Sequence, residues 1–487
     1  MNATDTMLSD VTRGFPRKDR NECAHAMPKD RRNQGRSSRG GFLRTLLIGV
    51  ACVAVSHRAL AQVDLTPTSP ANVVVPNYNG VPVGPFGGLE ASAYVARASD
   101  PTAAWFNPAG LSRAEGAQIT GTAGLYEWTR VSPQAAPNAG GSVQQVPNVV
   151  GFTVKTPTIT MGAAFLTRVS WRQLTQISGV ADNGEHFAYS AASEFAERVW
   201  SFSVAYDSTR NWRLGGGLAF SYTNLDLVQT TGNRVVSPTG LRTSVASSGL
   251  SGSTFQLQPV IGFQLDPHSK PRIGAVLRTP GLPLYSGASL TVEETASGGP
   301  SSLGVSFLDP NAQFKYKLPF EIGGGVALIG SRAQIEADVQ FYSSISPYAL
   351  ASSSQNALIF HDAGDGTTPT LMTQPFPGLT SCSRAIANVS VGGQLRLARE
   401  KPLLLHWGLA SDLSPVAPED QLFDRIDFVA GTIGLSGSIH RLSYAAGIHY
   451  RSGSSTNSLR GGLSGSPIST SIRVSTFGML YSLAYQF

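Results

Sequence analysis

The chain has 487 residues and a formal net charge of +6 at pH 7. Charged residues make up 14% of it, against roughly 25% in typical soluble domains. The first 61 residues hold 11 of the 37 Lys and Arg but 5 of the 31 Asp and Glu, which leaves 26 of each in the rest. The positive charge therefore belongs to the leading segment, and it gives no reason to expect a nucleic-acid partner.

Residues 1–61 have the features of a leader and signal peptide. Arg36, Arg39 and Arg44 precede an apolar run at 46–55, and the small-residue site Ala59-Leu60-Ala61 follows. This order predicts secretion, with cleavage before position 62. The run is too short to span a bilayer as a helix, although a buried helix is an alternative.

Two of the three cysteines lie in this leading segment. Cys52 raises a lipoprotein signal as a second alternative, but the preceding residues 49–51 match such a signal poorly. Cleavage after position 61 removes Cys23 and Cys52 and leaves Cys382 alone. The mature chain is then expected to form no intramolecular disulfide.

Residues 62–115 show no strand periodicity. They are rich in Pro, Gly, Ala and Asn, and a short stretch at 89–99 is compatible with a helix. Regular alternation of apolar with small or polar residues begins after them. In the last strand, Phe477, Tyr481 and Phe487 share one face, while Ser482 and Ala484 share the other. A chain that ends on an amphipathic strand and an aromatic residue resembles the assembly signal of outer-membrane barrels.

The alternating stretches predict fourteen strands and an all-β fold. Six tight turns alternate with seven long loops, as in outer-membrane barrels with short periplasmic turns and longer external loops. The seventh stretch contains Pro280, Gly281 and Pro283, and we interpret it as one kinked strand. The expected strands are 116–130, 146–156, 157–171, 196–208, 210–229, 253–266, 270–295, 310–329, 331–345, 386–399, 401–413, 423–437, 438–453 and 470–487.

A closed barrel satisfies every backbone group, so its apolar face can contact lipid. The prediction is a 14-stranded antiparallel transmembrane β-barrel over 116–487, with its apolar face outward. The alternative is a soluble barrel or sandwich with that face inward. Fourteen strands leave a lumen too wide for side chains alone to fill. We therefore expect residues 62–115 to form an N-terminal hatch inside the lumen.

Two stretches carry a resemblance to a known family. The segment 98–112, which contains Asn107-Pro108-Ala109, resembles the hatch signature of the FadL/TodX outer-membrane transporters, and 408–416 resembles a second family stretch. That family takes up long-chain fatty acids or other hydrophobic compounds. The resemblance implies passive uptake by loop capture, lumen binding, hatch gating and lateral exit through a gap caused by a strand kink.

The resemblance also implies the surroundings of the chain. We expect the outer membrane of a Gram-negative type of cell, a hydrophobic small molecule as ligand, contact with outer-membrane lipid and lipopolysaccharide, and insertion by the barrel-assembly machinery. We expect a monomer without enzyme activity and without a cofactor. Asn107, Pro108 and Ala109 are the expected gating residues.

Inward-facing charges are the candidates for holding a carboxylate, because an Arg side chain donates two parallel hydrogen bonds. Arg425 and Arg451 are the preferred ligand-binding candidates, and Asp412 could hold one of them, with His449 nearby. The alternative is a structural charge network. Strand parity places nine such charges in the lumen: Arg213, Arg396, His406, Asp412, Arg425, Asp427, Arg441, His449 and Arg451.

Other functions are less well supported. A general aqueous porin, or a structural or adhesin barrel without transport, remains open as an alternative. Residues 361–366 contain acidic and histidine side chains but no adequate metal-ligand set, so no metal site is expected. No Gly-x-Ser-x-Gly elbow occurs, so no catalytic residue is proposed.

Overall fold

The computed structural model describes residues 74–133, 141–180, 184–207, 211–237, 240–266, 271–298, 301–364, 366–398, 403–418, 420, 422–460 and 467–487. The expected signal peptide at 1–61 and the first part of the expected hatch, 62–73, lie outside the described residues. So does most of each of three expected turns, those at 208–211, 266–271 and 398–402.

The described chain is dominated by β-strands. Three short helices precede them: α1 at Pro85–Leu89, α2 at Ala103–Phe106 and a 3-10 helix at Pro108–Arg113. Among the described residues, none of the helices is long and apolar enough to cross a bilayer. The strands are β1 (Gln118–Pro133), β2 (Gly141–Lys155), β3 (Ile159–Val180), β4 (His186–Asp207), β5 (Trp212–Ser237), β6 (Gly240–Leu265), β7 (Arg272–Arg278), β8 (Leu282–Gly298), β9 (Ser301–Phe314), β10 (Glu321–Ile329), β11 (Ala333–Tyr342), β12 (Ile345–Ser352), β13 (Asn356–Asp362), β14 (Thr370–Pro375), β15 (Leu379–Ser383), β16 (Ile386–Arg396), β17 (Leu404–Asp412), β18 (Asp427–Ile439), β19 (Leu442–Arg460) and β20 (Pro467–Gln486).

Fourteen antiparallel wall strands close into a barrel, because the last strand, β20, pairs with β1. β7 and β8 together form the seventh wall strand, since both pair with β6. β9 and β10 form the eighth, since they pair with β8 and β7 in turn. The prediction of one kinked seventh strand and fourteen strands in all is therefore confirmed, and the eighth strand is interrupted as well.

Apolar side chains face outward from the barrel, as the alternation predicts. Leu483 is 60% exposed and Val429 is 67% exposed, although both are large and apolar. On the opposite face Ser201 and Glu336 are fully buried. A wall with its apolar residues outside and its polar residues inside has the arrangement of a transmembrane barrel.

Several expected loops are strands, which corrects their boundaries. The stretches 172–195, 230–252 and 296–309 continue the wall as long β-hairpins, with β5 and β6 paired from Trp212–Leu265 to Ser237–Gly240. The sequence there is rich in Ser, Thr and Gly, and apolar alternation fades. Backbone pairing does not need an apolar face, so periodicity marks only the part of each strand that has one.

The longest expected loop, 346–385, also contains strands. β13 pairs with β14 and with β9, while β12 pairs with β15. The barrel therefore has a short-turn end, which includes the turns near Lys155, Gly330 and His440, and a hairpin end, where the long hairpins lie.

Candidate functional site

Residues 74–115, named the inner segment, lie against the inner face of the wall on all sides. The backbone at Val95 approaches β7, and the backbone at Glu90 approaches β16 and β17. Leu89 contacts β18 and β19, and Leu111 contacts β3. Most of the segment is buried. The inner segment therefore lies inside the barrel, in contact with strands on several sides.

The Asn107-Pro108-Ala109 turn forms the start of the 3-10 helix. Asn107 is fully buried, and its side-chain oxygen accepts a hydrogen bond from the Ala109 N–H at 3.2 Å. Its Nδ2 donates to Val95 O and to Phe263 O, each at 2.9 Å. One amide therefore caps the helix, holds a second part of the inner segment and bonds to the wall strand β6.

This turn lies so close to the wall that two wall positions require glycine. A Cβ atom on Gly262 would be 2.2 Å from Asn107 Oδ1, and one on Gly215 would be 2.3 Å from the Pro108 carbonyl carbon. Real side chains do not tolerate such distances. The wall sequence and the hatch signature thus fit each other directly.

Buried carboxylates of β11 hold the middle of the inner segment. Glu336 accepts hydrogen bonds from Ala96 N–H at 2.6 Å and from Arg97 Nε at 2.7 Å. Asp338 accepts from the backbone N–H groups of Tyr94, at 2.8 Å, and Val95, at 3.0 Å. Both carboxyl groups are buried, and losing a partner of a buried polar group costs about 1–3 kcal/mol, so this is a firm attachment to one wall strand.

A second attachment links the same arginine to the wall strands β17 and β18, which lie two and three positions along the wall from β11. Arg97 pairs with Glu90, and Glu90 Oε1 lies 2.7 Å from His406 Nδ1 on β17. His406 Nε2 lies 2.7 Å from the Ser436 hydroxyl on β18. His406 is one of the nine predicted inward charges, and the structure shows it bound to the inner segment.

A buried charge cluster lies at the centre of the lumen. Arg168 of β3 pairs with Glu197 of β4 at 3.3 Å and with Glu321 of β10 at 3.2 Å. Glu321 also pairs with Arg278 of β7. All four side chains are at most 4% exposed. Two arginines and two glutamates balance in charge, as burial requires.

Aromatic rings of the inner segment and the wall surround this cluster. The Arg168 guanidinium lies 5.1 Å from the Tyr78 ring centre, 5.4 Å from that of Trp105 and 5.7 Å from that of Tyr342. The Arg278 guanidinium lies 3.9 Å from the Trp105 ring. These distances allow cation–π attraction between the wall arginines and the inner segment.

Asp412 and Arg451 bind the start of the inner segment. Asp412 Oδ1 accepts from Asn79 N–H at 3.3 Å, and Arg451 Nη1 donates to Gly80 O at 2.7 Å. Both side chains therefore bond to neighbouring residues of the inner segment, and that Asp412 also holds an arginine stays a prediction.

His449 and Arg425 differ in their surroundings. His449 is buried, and its Nε2 lies 3.4 Å from Glu127 Oε1. Arg425 is exposed and lies two residues before β18 begins, so strand parity does not determine its direction. The structure brings Asp412, Arg451 and His449 to the lumen and leaves Arg425 outside that group.

The four other predicted inward charges lie at or next to strand ends, where they are half-buried or exposed. Arg213 is half-buried near Asp266, 3.6 Å away. The exposed members are Arg396, Asp427 and Arg441.

The wall has a window between β2 and β3. Their ladder ends at the pair Val149–Leu166, although both strands continue beyond it. On β3 the register shifts between Thr167 and Val169, so Arg168 is an extra residue that forms a bulge. Farther along, side-chain hydrogen bonds join the two strands again and close the window at its other end: the Ser170 hydroxyl donates to Gln144 Oε1 at 3.4 Å, and the Ser142 hydroxyl donates to Arg172 O at 2.8 Å.

The inner segment bonds to both rims of this window. Val81 N–H donates to Arg168 O at 3.3 Å on the β3 rim. Gly84 N–H donates to Asn148 Oδ1 at 2.8 Å on the β2 rim, and Asn148 Nδ2 donates back to Pro82 O. Residues 81–84 thus lie across the window from inside the barrel.

Three aromatic side chains meet between the inner segment and the hairpin end. Tyr316, in the interruption between β9 and β10, lies 5.3 Å from Phe195 of β4 and 6.3 Å from Phe423. Phe195 and Phe423 are 5.8 Å apart. All are buried, so they narrow the lumen from three directions.

The central cluster was not predicted from the sequence. Arg168 lies at a bulge, where parity breaks down, and Arg278 directly precedes the kink near Pro280. Glu321 and Glu336 are on the polar face of their strands, but alternation cannot show which charges meet across the lumen. Position next to a predicted kink is the signal that could have marked Arg278.

Comparison with solved structures places this fold among known channels. The chain is similar to a Pseudomonas aeruginosa FadL homologue, with TM-score 0.55 and 14% identity over 84% of this chain and 100% of that one. It is similar to the Pseudomonas putida toluene transporter TodX, with TM-score 0.55 and 12% identity over 84% of this chain and 99% of that one. It is also similar to the Ralstonia pickettii toluene transporter TbuX, with TM-score 0.50 and 15% identity over 84% of this chain and 99% of that one.

No family model matches the sequence, and no curated protein does either. The likeness is one of fold. It confirms the predicted FadL/TodX resemblance at that level, and it confirms the fourteen-stranded barrel.

Proposed function

We propose that the chain is an outer-membrane channel for passive uptake of long-chain fatty acids or similar hydrophobic compounds. The observation that carries this proposal is the window between β2 and β3, with residues 81–84 lying across it from inside. An apolar molecule gains about 25 cal/mol per Å² by staying out of water. A side exit into lipid therefore suits it better than a water-filled pore.

The proposed route has four steps. Hairpins at the external end capture the ligand, and the lumen beyond the aromatic constriction receives it. Movement of the inner segment, held by Asn107, Pro108 and Ala109, then frees the window, and the ligand leaves sideways. The buried charges nearest the start of that segment, Asp412, Arg451 and His449, are proposed to respond to an acidic head group, whereas Arg425 could contact it only at the surface.

The fold neighbours support the class of ligand. TodX and TbuX are described as toluene transporters, and the outward apolar face of the barrel suits a lipid environment. We therefore propose location in the outer membrane, contact with lipid and lipopolysaccharide, insertion by the barrel-assembly machinery and a monomeric state. Residues 1–61 are proposed to be cleaved and 62–115 to act as the hatch.

A pair of Arg168 variants tests the window. Deletion of Arg168 removes the extra residue of the bulge, so the ladder between β2 and β3 can continue and the window closes. The substitution Arg168→Ala removes the same ion pairs but keeps the bulge. In a deletion strain that expresses each variant, we expect uptake of labelled oleate or toluene to be lost with the deletion and kept with Arg168→Ala.

The outcomes separate the alternatives. Heat-modifiable migration in gels shows whether each variant assembles. Uptake that survives in an assembled deletion variant would refute the window. Steady large conductance steps of the unaltered protein in planar bilayers would favour an aqueous porin. Absence of saturable ligand binding and of uptake would favour a structural or adhesin barrel.

A further inference from the structure

The outward face of the last wall strand, β20, changes character near its middle. From Phe477 to the terminal Phe487 every outward side chain is apolar or aromatic, whereas Arg473 is exposed on the same face beyond them. The stretch 477–487 rises roughly 34 Å along the strand and, at a strand tilt of about 40°, roughly 26 Å along the barrel axis. The apolar band of outer-membrane barrels is about 25 Å tall. Arg473 therefore lies just beyond the band, on the side of the hairpin end.

Two outward arginines lie next to each other at this edge. Trp128 and Phe477 are opposite each other in the ladder of β1 with β20, and their ring centres are 5.9 Å apart. Arg130 is the next outward residue on β1, and Arg473 is opposite Ser132, two residues farther along. Both arginine side chains are exposed. Two guanidinium groups on neighbouring strands are thus placed directly beyond an aromatic pair.

A third arginine lies at the same level on β3. The carbonyl oxygen of Arg172 accepts a hydrogen bond from the Ser142 hydroxyl at 2.8 Å. Ser142 is opposite Thr129, the neighbour of Arg130. The Arg172 side chain is exposed and points outward, since Trp171 beside it is buried. With strands about 4.8 Å apart, these three arginines, named the arginine patch, extend over about 14 Å of the wall from β20 to β3.

Acidic residues are missing from this side of the chain. Neither 128–181 nor 428–487 contains an Asp or a Glu, and these stretches form β2, β3, β19, β20 and the hairpin-side end of β1. On one flank, Glu194 of β4 is opposite one of the three arginines and can balance its charge. On the other flank, Asp427 is paired with Arg384 at 3.3 Å. The arginine patch is therefore net positive.

We infer that the arginine patch binds the phosphate groups of lipopolysaccharide, whose acyl chains then lie against Trp128 and Phe477. An arginine donates paired hydrogen bonds to a phosphate, and cationic side chains at the edge of an apolar band attract anionic head groups. The lipid A part of lipopolysaccharide carries phosphates at both ends of a disaccharide, and a patch about 14 Å wide can contact both. A phospholipid presents only one. This inference rests on the proposed outer-membrane location and assigns residues to the proposed contact with lipopolysaccharide.

Titration of the purified full-length protein in detergent micelles, followed by native mass spectrometry, tests the patch. The probes are lipid A, its monophosphorylated form and phosphatidylglycerol. One arginine near a charged lipid surface contributes roughly fivefold to binding. The unaltered protein should therefore bind lipid A at least about fivefold more tightly than either lipid with one phosphate. The triple variant Arg130→Ala, Arg172→Ala and Arg473→Ala should bind lipid A about 100-fold more weakly.

A matched control removes three exposed arginines elsewhere, Arg234, Arg242 and Arg441, and should leave lipid A binding unchanged. Heat-modifiable migration in gels shows whether each variant assembles. If the triple patch variant does not assemble, Arg130→Ala alone should still weaken binding about fivefold.

Three results would overturn the assignment: full lipid A binding by an assembled patch variant, an equal loss in the control, or phosphatidylglycerol bound as tightly as lipid A. Cell fractionation tests the proposed location, and uptake by the Arg168 variants tests the window. Failure of lipid A binding is therefore distinguishable from failure of the proposed function.

Discussion

The substitution Glu336→Gln tests whether buried charge holds the inner segment in the barrel. Glu336 accepts from Ala96 N–H at 2.6 Å and from Arg97 Nε at 2.7 Å, and it is fully buried. Glutamine has the same shape but one acceptor oxygen and one donor NH₂. Whichever way the amide turns, a donor then faces a donor, and the arginine loses one of its two carboxylate partners.

The expected effect is large because the pair is buried. Removing one partner of a buried ion pair costs about 3–5 kcal/mol, and each 1.36 kcal/mol is about tenfold in an equilibrium. Local opening at residues 94–96 should therefore increase about 10²- to 10⁴-fold. Hydrogen exchange of the peptide that contains these amides, followed by mass spectrometry, measures it.

A matched control distinguishes this effect from a general effect of charge loss. Glu293 is exposed on β8, and Glu293→Gln should leave exchange at residues 94–96 unchanged. Exchange in Glu336→Gln that stays within about threefold of the unaltered protein would refute the view that this carboxylate anchors the segment.

Three further predictions follow from the geometry. Gly262→Ala places a Cβ atom 2.2 Å from Asn107 Oδ1, whereas a Cβ atom on Gly216 would be 3.6 Å from its nearest neighbour. Overpacking costs about 1–3 kcal/mol, so the unfolding temperature of Gly262→Ala should fall and that of the control, Gly216→Ala, should not. Burial raises the pKa of Asp424 to about 7 from an ordinary value of 3.8. The protonated carboxyl therefore stabilises the folded protein, and this stabilisation is present at low pH and lost as the pH rises through 7. Proteolysis near residue 74 should accordingly be slower at about pH 5 than at about pH 8, and Asp424→Asn should remove the difference. Cys382 is 4% exposed, so a maleimide should label it at least about 100-fold more slowly in the folded protein than after denaturation, and rapid labelling of the folded protein would contradict the burial.

The number of wall strands could be predicted because alternation is a local property. In a strand the side chains point to opposite faces, so an apolar face such as Phe477, Tyr481 and Phe487 is visible in sequence. The same reasoning predicted strands that stop too early on the side of the barrel where the long hairpins lie. There Ser- and Thr-rich stretches pair through backbone groups, which leave no periodic trace.

Part of the candidate site could also be anticipated. Asn107 and its neighbours were expected in a hatch, and the structure places them against β5 and β6 through close backbone approach. Arg425 was expected in the lumen, but parity applies only within a strand, and β18 begins after it.

The sequence by itself determined the barrel, its outward apolar face and the presence of a segment that does not belong to the wall. Each follows from which residue types recur at which spacing. Only the tertiary structure decided that Arg168, Glu197, Glu321 and Arg278 form one cluster, and that the ladder between β2 and β3 stops beside residues 81–84, next to the bulge at Arg168. Two of these ion pairs join neighbouring wall strands, but the pair of Arg168 with Glu321 joins β3 to β10, and closure of the barrel brings those two strands within reach of each other.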